Sequence, residues 1–192
     1  MSNLQLSFNV DRTKAVIIAN ADYHHSFAPI KPAKGNFDTI INILTNKDII
    51  GLKSENIISL FNKTTRDIHK TIKEIVSNEN LEIETLILYY VGHGYRLEPS
   101  DKLFLTGIDS DPELIEDDGS TAIEFRTIKT LLENSHIQQR IFILDACYSG
   151  ISTLNALPQK IGENEINIKG TYVLASCPFN EESYFSTSSQ YT

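Results

Sequence analysis

Short apolar runs alternate along this 192-residue chain with longer stretches of helical period, and this alternation constrains the fold more than any other feature. The runs are rich in β-branched residues and end at polar, turn-forming residues, as buried strands do. The predicted strands cover residues 14–20, 56–62, 84–92, 140–146 and 170–177. Their order with the intervening helices predicts an α/β fold, a three-layer α/β/α sandwich with a mainly parallel central sheet.

The segments between the strands carry the helix and loop signals. Apolar residues recur at helical spacing in residues 36–46, 64–78 and 121–135. Asn36 is the predicted N-cap of the first helix, and Thr64 or Thr65 that of the second. Three further segments are predicted to lack regular structure or to have little of it: an edge hairpin piece at 102–107, an acidic loop at 109–120 and a long polar loop or linker at 147–169.

Composition excludes several classes of protein. A net charge of −8 argues against nucleic-acid binding, because phosphate contacts need a clustered basic surface. The two cysteines make no disulfide framework, and no Cys and His cluster has zinc-site spacing. Signal-peptide features and a membrane-length apolar run are lacking, so we expect one cytoplasmic domain over residues 1–192 with no membrane partner.

Two of the strongest predicted strands end on reactive side chains. "LILYYVGH" ends at His93 and "IFILDAC" ends at Cys147. Parallel, adjacent strands would bring the imidazole and the thiol to one edge of the sheet, where ligands of open parallel sheets bind. An imidazole can take the proton of a thiol and activate it as a nucleophile. Each residue alone is more simply read as a turn histidine or a buried small hydrophobe, and only the pair indicates catalysis.

The pair sits in sequences that resemble a known family. "YYVGHG" precedes "LDACYSG", with His93 and Cys147 separated by 54 residues (147 − 93). This pattern resembles the caspase-type clan of cysteine proteases, in which the His lies about 50 residues upstream of a Gln-Ala-Cys-x-Gly motif. The resemblance extends from the first strand to about Tyr184. It is strongest to metacaspase-like and bacterial caspase-like members, because Asp145 replaces the Gln of animal caspases.

The resemblance implies a cysteine endopeptidase and a role for several residues. Asp145 would line the pocket for the residue before the scissile bond, and a carboxylate there favours Arg or Lys. Ser176, near the end of the fifth predicted strand, and Glu181, in the loop after it, would belong to the same substrate-binding region. The backbone N–H groups of Gly94 and Cys147 are the expected oxyanion donors. We expect a His-Cys dyad, because no third residue that orients the histidine is evident from the sequence.

The same resemblance bears on processing, cofactors and partners. The segment from Ile151 to Lys169 matches a region that is cut during maturation in part of the family, and Lys160 and Lys169 are basic candidates for self-cleavage. Calcium activates some relatives, but the acidic stretch lacks the alternation of an EF-hand loop, so we assign no metal and no cofactor. Expected partners are a protein or peptide substrate and a regulatory sensor. Relatives continue beyond the fifth strand, so we expect this domain to lack a C-terminal portion or to continue into further domains.

Two other functions fit the same residues. One is a catalytically silent caspase-like docking module, against which the intact His93 and Cys147 argue. The other is a cysteine hydrolase on the same scaffold that acts on something other than a protein. The favoured interpretation is a cysteine endopeptidase that cleaves after basic residues, acting as the effector of a bacterial signalling or defence system.

Overall fold

The computed structural model describes residues 9–97, 100, 102–146 and 168–175. The strands are β1 (Thr13–Ala19), β2 (Ile57–Phe61), β3 (Thr85–Val91), β4 (Gly94–Leu97), β5 (Lys102–Thr106), β6 (Ala122–Glu124), β7 (Gln139–Asp145) and β8 (Thr171–Ala175). The α-helices are α1 (Ala33–Thr45), α2 (Thr65–Ser77), α3 (Pro112–Asp117) and α4 (Phe125–Glu133).

Five strands form a parallel sheet in the order β2-β1-β3-β7-β8. These are the five strands predicted from the apolar runs, each within two residues of its predicted bounds. The central strand β3 is buried at all seven of its positions, as expected for a parallel strand covered on both faces. The mainly parallel sheet is therefore confirmed.

Helices cover the two faces of this sheet, and alternate residues of each strand point to different helices. Val16 and Ile18 of β1 pack in one core cluster with the apolar faces of α2 and α4. Ile17 and Ala19 pack in a second cluster with α1. The period of two along a strand assigns each side chain to one face, so an uninterrupted apolar run supplies both cores. The result is the predicted three-layer α/β/α sandwich.

Helix α1 begins three residues earlier than predicted, and Asn36 is not its N-cap. Pro32 occupies the N-cap position, with a φ of −66°, and makes no side-chain capping hydrogen bond. Asn36 lies in the first turn, where its side-chain amide donates to Asp145 of β7 instead. The prediction for α2 is correct, because the Thr64 hydroxyl accepts the Asp67 N–H at 3.1 Å and caps that helix.

A second, antiparallel sheet has the order β4-β5-β6 and was largely missed. The prediction of an edge hairpin piece at 102–107 is wrong, because β5 is the central strand and is buried at four of five positions. Strand β6 occupies the start of the segment predicted as the third helix. Ile123 is buried in either arrangement, and three residues are too few for periodicity to distinguish a strand from a helix.

The acidic stretch 109–120 is also not simply a loop, since it contains α3. Asp111 is the N-cap, its carboxylate accepting the Glu113 N–H at 3.0 Å, and Pro112 occupies the first turn. Proline at that position is favourable because its fixed φ suits a helix start and its missing N–H would be unpaired there. Gly119, at a φ of +74°, follows the helix end. The prediction of a loop over the whole stretch is therefore wrong.

Candidate active site

The candidate site lies where β3 and β7 end side by side. The two strands are parallel neighbours, and Val91 is paired with Asp145 at their carboxyl ends. The N–H of Gly92 donates to the Asp145 carbonyl at 3.4 Å, so the turn that carries His93 is attached to the end of β7. Cys147 is two positions beyond Asp145 in the sequence. It lies outside the described residues, as do Ser176, Glu181 and Lys160.

A backbone carbonyl fixes one nitrogen of the His93 ring. Nε2 lies 2.7 Å from the carbonyl oxygen of Ala28, in the loop between β1 and α1. A carbonyl can only accept, so Nε2 carries the proton of this hydrogen bond. In the neutral imidazole, Nδ1 then holds the lone pair, which is the form that can accept a proton from a thiol. No side chain was predicted to orient the histidine, and the group that does so is a main-chain carbonyl.

Aromatic side chains enclose the imidazole. Phe27 stacks on it with ring centroids 5.1 Å apart and an interplanar angle of 23°. Tyr23 lies at 5.0 Å with a tilt of 52°. Burial lowers the pKa of His93 below its ordinary value of 6.5, and the hydrogen bond to Ala28 opposes this shift. A lowered pKa keeps the ring neutral near pH 7, as a general base requires.

Tyrosine hydroxyls hold the backbone of the Gly-His-Gly turn. The Tyr23 hydroxyl accepts the His93 N–H at 3.0 Å. On the other side, the His93 carbonyl accepts hydrogen bonds from the Tyr90 hydroxyl at 2.7 Å and the Thr106 hydroxyl at 2.8 Å. A Cβ on Gly92 would stand 2.6 Å from the Tyr90 hydroxyl and 3.1 Å from that of Tyr23. Only glycine fits at position 92, because the two phenol groups occupy the space that a Cβ would need. This packing requirement could not be predicted from the sequence.

Gly94, the predicted oxyanion donor, is the first residue of β4. It is buried and is paired with Leu105 of β5. The turn at His93 therefore connects the parallel sheet directly to the antiparallel one. The oxyanion role of Gly94 stays a prediction.

Two neighbouring elements hold the carboxylate of Asp145. Oδ2 accepts a hydrogen bond from the Asn36 amide of α1 at 2.8 Å and one from the Tyr89 hydroxyl of β3 at 3.4 Å. Burial, assisted by the nearby charge of Asp145, raises the pKa of Tyr89, so the phenol stays protonated and can donate. Sequence reasoning missed Asn36 here, because its capping preference explained it locally and its true partner is 109 residues away.

Lys169, one of the two candidate self-cleavage residues, lies in the turn that leads into β8. Its side chain is exposed, but its backbone is held on both sides. The N–H donates to Glu133 Oε1 at 3.1 Å, and the carbonyl accepts from Arg140 Nη2 at 3.1 Å. Gly170, at a φ of +71°, completes the turn. A protease binds its substrate as an extended strand, and this geometry disfavours cleavage at Lys169 in the folded protein.

Within the described residues, no three His, Cys, Asp or Glu side chains are grouped so that they could share a metal ion. Several acids of the 109–120 stretch cap backbone groups instead. Asp109 accepts the Thr65 N–H at 2.7 Å, and Asp118 accepts the Ser120 N–H at 2.8 Å. No helix in the same part of the chain is long and apolar enough to cross a membrane.

Comparisons with known proteins bear on the family and the fold. The sequence model of the caspase domain matches residues 12–189. Among solved structures, caspase-1 from Spodoptera frugiperda matches with a TM-score of 0.57 and 14% sequence identity, over 93% of this chain and 63% of that one. The chain thus spans less than two thirds of the length of that caspase, and the likeness shows the fold. No curated protein sequence matches significantly. The match of the family model over most of the chain shows that this protein belongs to the caspase domain family, a family of cysteine proteases.

Proposed function

We propose that this protein is a cysteine endopeptidase that cleaves after arginine or lysine, with His93 and Cys147 as its catalytic dyad. The observation that carries the proposal is the state of His93. Its ring stands at the carboxyl end of β3, next to the end of β7, with Nε2 held by the Ala28 carbonyl. The other ring nitrogen, Nδ1, is thereby left as the proton acceptor for the residue that follows β7 by two positions.

The chemistry is acyl transfer in two halves. His93 Nδ1 takes the thiol proton of Cys147 as the sulfur attacks the scissile carbonyl carbon. The C–N bond then breaks, the proton passes from Nδ1 to the leaving amine, and a thioester remains on Cys147. Water then attacks the thioester carbon while His93 Nδ1 takes one of its protons. The C–S bond breaks and Nδ1 returns this proton to the sulfur, which releases the acid and restores the thiol. The backbone N–H groups of Gly94 and Cys147 would stabilise the negative oxygen in both halves.

The preference for basic residues rests on Asp145. Its carboxylate belongs to the last residue of β7, beside the histidine turn, and Asn36 and Tyr89 hold it in place. A carboxylate fixed in this way would bind a guanidinium or ammonium group through charge-assisted hydrogen bonds. Glu181 and Ser176 are proposed to complete the same pocket.

The regulatory setting is the broadest part of the proposal. Resemblance to bacterial caspase-like proteins supports a role as the proteolytic effector of a signalling or defence system in the cytoplasm. A sensor partner would control the protease by ordering its loops. With Lys169 held in its turn, Lys160 is the better candidate for any self-cleavage between β7 and β8.

A panel of fluorogenic peptides that differ only in the residue before the scissile bond tests the proposal. We expect cleavage after Arg and Lys, no cleavage after Asp or Asn, and loss of cleavage in Cys147→Ala and in His93→Ala. Cleavage after Asp with none after Arg would contradict the pocket assignment. If the parent and Cys147→Ala proteins were equally inert towards every peptide, a docking module would be favoured, and thioester or amide hydrolysis of non-peptide substrates would indicate a different hydrolase.

A further inference from the structure

Phe27 makes two ring contacts that lead from His93 into the second sheet. On one side it stacks on the His93 imidazole, with centroids 5.1 Å apart and an interplanar angle of 23°. On the other side its ring meets Tyr95 of β4 at 6.2 Å and 87°, an edge-to-face contact. Phe27 lies in the loop between β1 and α1, next to the residue whose carbonyl binds His93 Nε2. Aromatic pairs in these two geometries are attractive beyond the area they bury.

Tyr95 is itself fixed. It is 3% exposed, and it packs with Phe104 and Ile115 in a small core cluster between the antiparallel sheet and α3. Its hydroxyl donates to Glu116 Oε1 of α3 at 2.5 Å. A continuous series of contacts therefore runs from Glu116 through Tyr95 and Phe27 to the imidazole.

The His93 ring needs a packed neighbour such as Phe27 for a geometric reason. The torsion about the Cβ–Cγ bond of histidine has broad minima, so the ring plane is weakly determined by the side chain itself. A single hydrogen bond at Nε2 fixes one atom of the ring but not the plane of the ring. A stacked aromatic ring fixes the plane, and plane and hydrogen bond together fix the direction of Nδ1.

We propose that Phe27 is a positioning residue for His93, and that the Phe27–Tyr95–Glu116 contacts determine the direction in which Nδ1 faces. This proposal rests on the proposed function, because the direction of Nδ1 matters for proton transfer from Cys147. Displacements of about 1 Å in a catalytic group can lower rates by about 100-fold. Phe27 contacts the histidine ring, and a residue that acts only through His93 should affect kcat and not KM.

The test compares Phe27→Leu, which removes the flat ring, with Phe27→Tyr, which keeps it. We expect kcat to fall about 10- to 100-fold in Phe27→Leu with KM changed less than about threefold, and to be largely retained in Phe27→Tyr. Tyr95→Phe keeps the edge contact with Phe27 but loses the hydrogen bond to Glu116, so its kcat should lie between those of Phe27→Leu and Phe27→Tyr. Phe61→Leu is the matched control, because its ring belongs to the separate Phe37–Phe61 pair, and kcat should be unchanged.

A measurement that does not need turnover separates this proposal from the proposed function. In protein with labelled histidine and the Cys147→Ala substitution, the ¹⁵N shifts of His93 report the fraction of ring protonated at Nε2. We expect one dominant Nε2–H form of the His93 ring in the proteins with Phe27 and with Phe27→Tyr, and a mixture of the Nε2–H and Nδ1–H forms in Phe27→Leu. If the parent cleaves no peptide but the mixture appears, the proposed function fails and the positioning stands. Unchanged ¹⁵N shifts in the folded Phe27→Leu protein would overturn the positioning, as would an unchanged kcat in an active enzyme.

Discussion

Gly92 provides the sharpest test of how the histidine turn is built. Its φ is not in the left-handed region, so an alanine there meets no backbone penalty, and the cost comes from the space that its Cβ would need. That Cβ would stand 2.6 Å from the Tyr90 hydroxyl and 2.9 Å from Tyr90 Cζ. Contacts this short are not tolerated, so Tyr90 would have to move.

Tyr90 cannot move cheaply. Its side chain is fully buried, its hydroxyl lies 2.7 Å from the His93 carbonyl, and it accepts the Thr106 N–H at 3.0 Å. Overpacking of a core costs about 1–3 kcal/mol, and each buried hydrogen bond lost costs about 1 kcal/mol. Gly92→Ala should therefore lower the free energy of unfolding by about 2–4 kcal/mol.

Urea denaturation followed by circular dichroism measures this change, which should appear as a lower midpoint at an unchanged m-value. Tyr90→Phe alone should cost about 1–2 kcal/mol. It removes the hydroxyl that bonds to the His93 carbonyl and accepts the Thr106 N–H, and it leaves that N–H only a longer hydrogen bond to the His93 carbonyl, at 3.3 Å. The Tyr90 hydroxyl is the atom nearest to the new Cβ of Gly92→Ala, and Tyr90→Phe removes it. The double variant should therefore lose at least about 1 kcal/mol less stability than the sum of the two single variants. A Gly92→Ala protein within about 0.5 kcal/mol of the parent, or strictly additive costs, would refute this reasoning.

Three other outcomes are expected. Asp145→Asn should reduce the preference for Arg over a neutral residue about 10- to 100-fold in kcat/KM, because a charge-assisted hydrogen bond contributes about 1.5–3 kcal/mol; an unchanged preference would remove Asp145 from the pocket. Burial lowers the pKa of His93, so the unfolded chain binds a proton more readily and stability should fall as the pH drops below about 6.5. His93→Gln should flatten that dependence in urea titrations at each pH, and equal slopes would contradict it. In Glu133→Ala the Lys169 N–H loses its acceptor, so trypsin should cut after Lys169 faster than in the parent, as mass spectrometry would show; equal rates would mean that this contact does not protect the bond.

The parallel sheet could be predicted because each of its strands carries its own signal. β3 has an uninterrupted apolar run after Thr85 and is buried on both faces, so no long-range information is needed to recognise it. β4 and β6 have four and three residues, and their strand character comes from pairing with β5. Short strands of this kind are determined by their partners, and their sequences resemble those of a turn or a helix start.

The same distinction applies to the candidate site, where some residues carry their own sequence signal and others are selected only by the folded chain. His93 and Cys147 were recognisable because imidazole and thiol chemistry belongs to few residue types and both follow strong strands. The carbonyl of Ala28 was not, since every residue has a carbonyl and only the folded loop selects this one. The contact between Asn36 and Asp145 joins α1 to β7 and depends on the packing of the whole sheet.

The central claim is that His93 and Cys147 form one acyl-transfer site with a pocket for a basic residue. The most direct measurement is covalent labelling with peptidyl acyloxymethyl ketones that end in Arg or in Asp, followed by peptide mapping. We predict that one equivalent of the Arg reagent modifies Cys147, and that His93→Ala slows this labelling about 100-fold or more. The Asp reagent should not react at a comparable rate. Labelling at Cys177, which is the other cysteine of the chain, equal labelling without His93, or preferential reaction of the Asp reagent would contradict the account.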